Sequence, residues 1–186
     1  MDSVRVEELE REGLVRTTWL PYELHPGVPP EGIPRERYFG SSARVEQMRA
    51  HMHDLAAEAG LWMESRDTLI NSRRALATAE FARERGAYDG VHRALFEAHW
   101  HLTGRLEEVD DLKRIAAGCG LDPDELEQAL AGGRYDQLLD ERRREAEAVG
   151  ISAIPAHIFG NRYLVVGAHP AELFRQVVEK LSAPGR

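Results

Sequence analysis

A chain of 186 residues, 42% hydrophobic and 30% charged, is long enough for one domain with a buried core and has the balance of an ordinary globular protein, which excludes wholesale disorder. Its formal net charge of -8 would repel nucleic acid and an anionic bilayer alike, so neither is an expected partner. Cys119 is the only cysteine, and one thiol closes no intrachain disulfide, forms no Cys-x-x-Cys pair and builds no zinc site alone.

Residues Asp2 to Glu12 have a helical pattern, with Val6 and Leu9 on one face and Gly13 placed to end the helix. The β-branched and aromatic run Leu14 to Leu20 reads as a strand that Pro21 stops. Residues 21–37 hold Pro21, Pro26, Pro29, Pro30 and Pro34, and read as a long irregular loop of the kind that is usually functional or constrained. A helix is expected over Ser42 to Ala59, then a short extended piece at Leu61-Trp62-Met63. Further helices are expected over 69–85 (Ala75, Leu76, Ala79, Phe81, Ala82), 89–102 (Val91, Leu95, Phe96, Trp100) and 110–117, the last closed by Gly118. Asp122-Pro123-Asp124-Glu125 is a strong helix start, with Asp at the N-cap and Pro at the first position. Another helix spans Tyr135 to Ala148 and ends at Gly150. Then the period changes: Ala156 to Phe159 and Tyr163 to Val166 read as two strands around a Gly160-Asn161-Arg162 turn. A last helix follows His169-Pro170, with Leu173, Phe174, Val177, Val178 and Leu181 on one side. Helix, strand, a block of helices, hairpin and helix fit a mixed sheet carrying a long helical insertion.

In that order, several motifs resemble the DsbA-like branch of the thioredoxin superfamily, and among its members the FrnE-type thiol oxidoreductases. Gly150-Ile151-Ser152-Ala153-Ile154-Pro155 resembles the family's Gly-Val-x-Gly-Val-Pro loop, and Val165 to Pro170 resembles its Ser-Gly-Ala-Gln-Pro segment. Trp19-Leu20-Pro21-Tyr22-Glu23-Leu24-His25-Pro26 looks like its Pro-Phe-x-Leu-x-Pro loop, while Asn71-Ser72 and Leu95 to Ala98 resemble starts and parts of its insertion helices. The resemblance implies an α/β, thioredoxin-like fold with a helical insertion domain. The thioredoxin-like part would be 1–40 with 150–186, and the insertion 41–149. It also implies a cis Pro155 facing the reactive disulfide, a substrate groove drawing on Ile154, Pro155, Tyr22 and His25, and thiol or disulfide substrates.

The departure from the pattern is the Cys-x-x-Cys at the start of the family's first helix, where the helix N-terminus lowers a thiolate's pKa. The resemblance puts Met1 partway along that helix, so the first strand and the cysteine pair are expected to be missing and the chain to be redox-inactive as it stands. No catalytic residue can therefore be assigned. Glutathione-dependent hydroxychromene-carboxylate isomerases and kappa-type glutathione transferases share the insertion and the Val-Pro loop, which makes glutathione the alternative partner. A third reading is a non-catalytic binding module: without its first strand the sheet would expose backbone edges and invite pairing with a second copy as a homodimer.

Other residues are weaker candidates. Cys119 lies just past a helix C-terminus, where the dipole disfavours a thiolate. His51/His53 and His99/His101 are two apart, whereas helical metal pairs use three or four, so no metal is expected. His169 is an exposed-loop histidine by default. Arg142, Arg143 and Arg144 sit among acids and read as a solvated, ion-paired helix face. No phosphate loop or nucleophile elbow is present, and no cofactor is expected. No apolar run approaches the roughly 18–20 residues of a membrane span. Asp2, Glu7, Glu8 and Glu10 are wrong for a signal peptide, so a cytoplasmic location is expected.

Overall fold

The computed structural model describes residues 2–182. Its element order is α1 (Asp2–Arg11), β1 (Ile33–Pro34), α2 (Arg35–Phe39), α3 (Ser42–Glu58), β2 (Thr68–Leu69), α4 (Arg73–Glu84), α5 (Tyr88–Trp100), α6 (Val109–Gly118), α7 (Pro123–Ala131), α8 (Asp136–Ala148), β3 (Ala156–Phe159), β4 (Tyr163–Val166) and α9 (Ala171–Ser182). The chain divides into two compact units, one of residues 1–20 with 145–186 and one of Pro21–Arg144.

The discontinuous unit joins α1, the hairpin and α9. Val6 and Leu9 of α1 are buried, as their shared face predicts. On α9 the side chain of Arg175 bridges back to α1, donating to Glu8 at 2.7 Å and to both carboxylate oxygens of Glu12 at 2.7 and 3.1 Å. Strands β3 and β4 form the predicted antiparallel hairpin with Phe159 opposite Tyr163 and Ala156 opposite Val166. Its turn needs left-handed backbone at two successive residues, and Gly160 and Asn161 supply it, each at φ +54°. Alternation then sorts the side chains. His157 and Phe159 face Phe174 of α9, with ring centroids 4.7 and 5.6 Å away, and Phe174 is fully buried. Ile158, Leu164 and Val166 point the other way and are exposed.

The Pro21–Arg144 unit is built around α4, which packs against α5, α6 and α7. Ala75, Ala79 and Ala82 keep its surface low enough for neighbouring helices to approach, and Phe81, Val91, Leu112 and Leu126 fill the centre without exposure. The expected cap of α7 is formed: Asp122 Oδ1 accepts from the backbone N–H of Asp124 at 2.8 Å and Glu125 at 3.1 Å. A separate two-residue antiparallel ladder pairs Ile33 with Leu69 and Pro34 with Thr68. It requires glycine at position 32, which has φ +82° and where a Cβ would lie 2.7 Å from the Thr68 methyl and 2.9 Å from the Leu69 carbonyl.

Several expectations are corrected. Residues 14–20 form no ladder, although Val15, Thr17 and Trp19 are half-buried in alternation; the β-propensity of one segment cannot supply the neighbour that makes a strand. Both ladders among the described residues are antiparallel two-stranded sheets, so the mixed sheet is not observed. Residues 61–63 are likewise unladdered, although the Glu64 N–H donates to the Trp100 carbonyl at 2.7 Å. The helix expected from 69 begins at Arg73, because residues 68–69 pair with β1 and Asn71 Oδ1 accepts from the Arg73 N–H at 2.9 Å. The Pro-rich loop is interrupted by β1 and α2. Helix α6 runs through Gly118 and turns at Gly120, which has φ +78°. Phe96, read as a core position of α5, is 50% exposed, lying against His92 instead.

Candidate functional site

In the discontinuous unit the candidate residues lie on the loop between α8 and β3. Gly150 leaves the helix at φ +89°, and the Ile151 N–H returns to the Ala146 carbonyl at 2.9 Å, burying Ile151 and fixing where the loop starts. The Ile154–Pro155 peptide is cis, the geometry that the family resemblance implied. Pro155 is held by its carbonyl, which accepts from the Gly167 N–H at 2.7 Å and so carries the β3–β4 pairing one step beyond the ladder. Ile154 is 51% exposed and makes no hydrogen bond to another described residue. His169, after β4, has Nε2 3.0 Å from the Val166 carbonyl and is thereby turned back on its own segment.

Tyr22 and His25 belong to the other unit, on the segment leading to β1. That segment is pinned at several points. The Val28 N–H donates to the His25 carbonyl at 3.1 Å, and Asn71 Nδ2 donates to the Val28 carbonyl at 2.5 Å. Tyr22 is half-buried. His25 Nδ1 lies 3.1 Å from the Tyr38 hydroxyl, with the rings edge to face at 4.9 Å. Burial, reinforced by the Arg35 charge, lowers its pKa and favours the neutral ring.

A scan with protein-family models matches the DSBA-like thioredoxin domain over residues 3–179. The chain belongs to that family. Among solved structures it is similar to a probable DsbA oxidoreductase from Streptomyces coelicolor, with a TM-score of 0.85 and 25% identity, covering 100% of this chain and 85% of that one. A search of curated proteins finds no match. The thioredoxin-like DsbA fold, mostly helical with small sheets, is thus established, and the family's substrates are thiols or disulfides.

Within this DsbA-like chain the remaining candidates are spread through the Pro21–Arg144 unit. Cys119 is half-buried after the end of α6, against the α4–α8 core. His99, packed edge-on to Trp100 at 4.6 Å, is pushed by burial down to about 4, with Arg35 and Arg66 adding to the effect, so it is neutral near pH 7. Among the described residues no group of three or more His, Cys, Asp or Glu side chains is arranged to hold a metal ion. Asp140, at the head of the mixed-charge run, pairs with Arg73 at 3.0 Å, which holds its carboxyl below the usual range.

Sequence reasoning missed the hub at Arg73. Its guanidinium contacts Glu23 at 2.8 Å, Asp136 at 3.0 Å and Asp140 at 3.0 Å, and also donates to the Asp136 carbonyl. Glu23 is only 3% exposed. The one signal available beforehand was an acid placed between Tyr22 and Leu24 in a proline-rich, largely apolar segment, but an acid there names no partner.

Proposed function

We propose that the chain is an FrnE-type member of the DsbA-like family whose loop at Ile154-Pro155 receives an extended thiol or disulfide substrate, and that these 186 residues do not catalyse exchange unaided. The observation that carries the first part is Ile154: its side chain is half-exposed and its backbone N–H and C=O are uncommitted within the described residues, beside Pro155 on the anchored end of the hairpin. An extended peptide can then be bound by main-chain pairing, as in strand addition. We assign Tyr22 and His25 to substrate contact on the family resemblance. In the same reading residues 1–40 with 150–186 form the thioredoxin-like part and 41–149 the helical insertion. The second part rests on cysteine chemistry. Exchange proceeds by thiolate attack and resolution through a mixed disulfide, and Cys119 is a lone, half-buried thiol at the unfavourable end of a helix.

The test is insulin reduction by dithiothreitol followed by turbidity, with the chain and its Cys119→Ser variant side by side. Both should leave the uncatalysed rate unchanged. Turnover that disappears in Cys119→Ser would overturn the redox-silent reading. Binding is tested separately, by NMR titration with an unstructured peptide: resonances of Ile154 and its neighbours should shift, and a response confined to residues elsewhere would sink the loop assignment.

A second reading, strand pairing between copies, is favoured by residues 15–20, where half-buried and exposed side chains alternate without a ladder, and by a hairpin whose outward residues Ile158, Leu164 and Val166 are exposed. Light scattering should then give a dimer mass; a concentration-independent monomer would dismiss it.

A further inference from the structure

In the discontinuous unit the β3–β4 hairpin has two outer edges, and they are not alike. The Pro155 carbonyl accepts from the Gly167 N–H at 2.7 Å, so the main-chain groups of residues 155, 157 and 159 point toward β4. By antiparallel alternation those of Ala156 and Ile158 point away from it, and there they have no hydrogen-bond partner among the described residues. Ile154 continues the row, its N–H and C=O uncommitted as well. On β4 the outward groups belong to Leu164 and Val166, and that edge is guarded. His169 Nε2 lies 3.0 Å from the Val166 carbonyl, and Gly167 turns the chain away at φ +98°.

Edge strands are usually protected by charge, proline or a covering segment. Strand β3, Ala156-His157-Ile158-Phe159, carries no Lys, Arg, Asp or Glu, and β4 carries none either. One face of the hairpin is taken by α9 through Phe174, while the other shows exposed Ile158, Leu164 and Val166. A strand added along β3 places every second side chain beside that aliphatic strip. A second copy would bring its own net charge of -8 against this one, whereas a neutral or basic segment meets no such repulsion. We propose that the outer edge of β3 binds an extended polypeptide segment with aliphatic or aromatic side chains at alternate positions and neutral or basic flanks. Main-chain pairing and the aliphatic strip supply the recognition, so the segment needs no cysteine and no redox step is involved. The inference rests on the reading of the Ile154-Pro155 loop as the receiver of an extended substrate, and adds the side-chain pattern of that substrate.

The experiment titrates the full chain with cysteine-free synthetic peptides, followed by NMR shifts and amide hydrogen exchange. An alternating Val-Thr peptide ended by lysines should bind and slow exchange at Ala156 and Ile158. The same residues in block order, and the alternating peptide ended by glutamates, should each bind weaker by roughly tenfold or more. Ile158→Pro, which removes an outward N–H where an edge strand tolerates proline, should weaken binding by a similar factor. Should that variant fail to fold, Ile158→Lys decides, because the side chain it replaces is exposed. Shifts at Ile154 without protection at Ala156 and Ile158 would overturn the β3 edge and leave the loop reading standing; silence at both places would sink both. The proposal is also overturned by equal affinity for the block-order peptide, by unchanged affinity in Ile158→Lys, or by a peptide-free dimer that protects the same amides, which would give the edge to a second copy.

Discussion

His99 and Arg73 are the residues whose environments have the clearest measurable consequences. Burial holds the His99 pKa at about 4, against an ordinary histidine value of 6.5. The folded state therefore resists a proton that the unfolded chain accepts below pH 6.5, so its stabilising effect is complete above that pH and is lost as pH falls toward 4. At about 1.4 kcal/mol per pKa unit the loss is on the order of 3 kcal/mol. Urea unfolding across this window should show it, and His99→Asn should flatten the profile; parallel losses in both proteins would mean His99 is not the group responsible. Arg73 presents a different case. Removing it leaves Glu23, 3% exposed, as a buried charge without its cation. Arg73→Ala should destabilise by on the order of 3 kcal/mol, and Glu23→Gln by less, because the amide can be buried at lower cost. Equal, negligible effects on the denaturation midpoint would show that the hub is no more than a surface ion-pair cluster.

At the scale of the element, helix ends differ in how they are made. Helix α7 is capped by Asp122, which satisfies two backbone donors. Helix α4 begins after Ser72, whose side chain makes no capping bond; Asn71 serves the Arg73 N–H in its place. Asp122→Ala should therefore cost about 1 kcal/mol and Ser72→Ala nearly nothing, measured as thermal or urea midpoints. A comparable loss at both sites would contradict the assignment. The α7 cap was legible because Asp-Pro-x-Glu is a local code that needs no tertiary partner. The start of α4 was not, since whether residues 69–72 continue a helix depends on the pairing of residues 68–69 with β1, some 35 positions earlier in the chain. Helical periodicity likewise placed Val91 and Leu95 in the core, where both are buried, but put Phe96 there as well, although it is half-exposed. A period marks a face, and only the neighbouring helices determine how wide that face is.

Across the whole molecule, acids outnumber bases, 32 to 24, and part of that excess is bound in ion pairs. Arg175 holds Glu12 below its usual range; the Arg105 N–H and Arg114 do the same for Asp111, and Arg73 for Asp140. Each depressed carboxylate stabilises the fold above its unfolded-state pKa, at 4.5 for Glu and 3.8 for Asp, and that contribution disappears as pH falls through the lower folded-state value. Below pH 4.5 the unfolding midpoint should decline further, and less steeply in high salt because these pairs are largely exposed and screened. A salt-insensitive acid limb would point to buried groups instead.

The sequence by itself determined whatever rests on local chemistry: the hairpin with Gly160-Asn161, the Asp122 cap, the apolar faces of α1 and α9, and the order of motifs that carries the family. It also determined that no second cysteine accompanies Cys119. Only the tertiary structure decided that residues 14–20 stay unladdered, that Glu23 is neutralised by an arginine 50 residues away, and that Glu107 is buried with one oxygen unpaired. Ladders, buried ion pairs and orphaned acceptors are relations between distant segments, and the free energy of each depends on what the fold brings within a few ångströms of it.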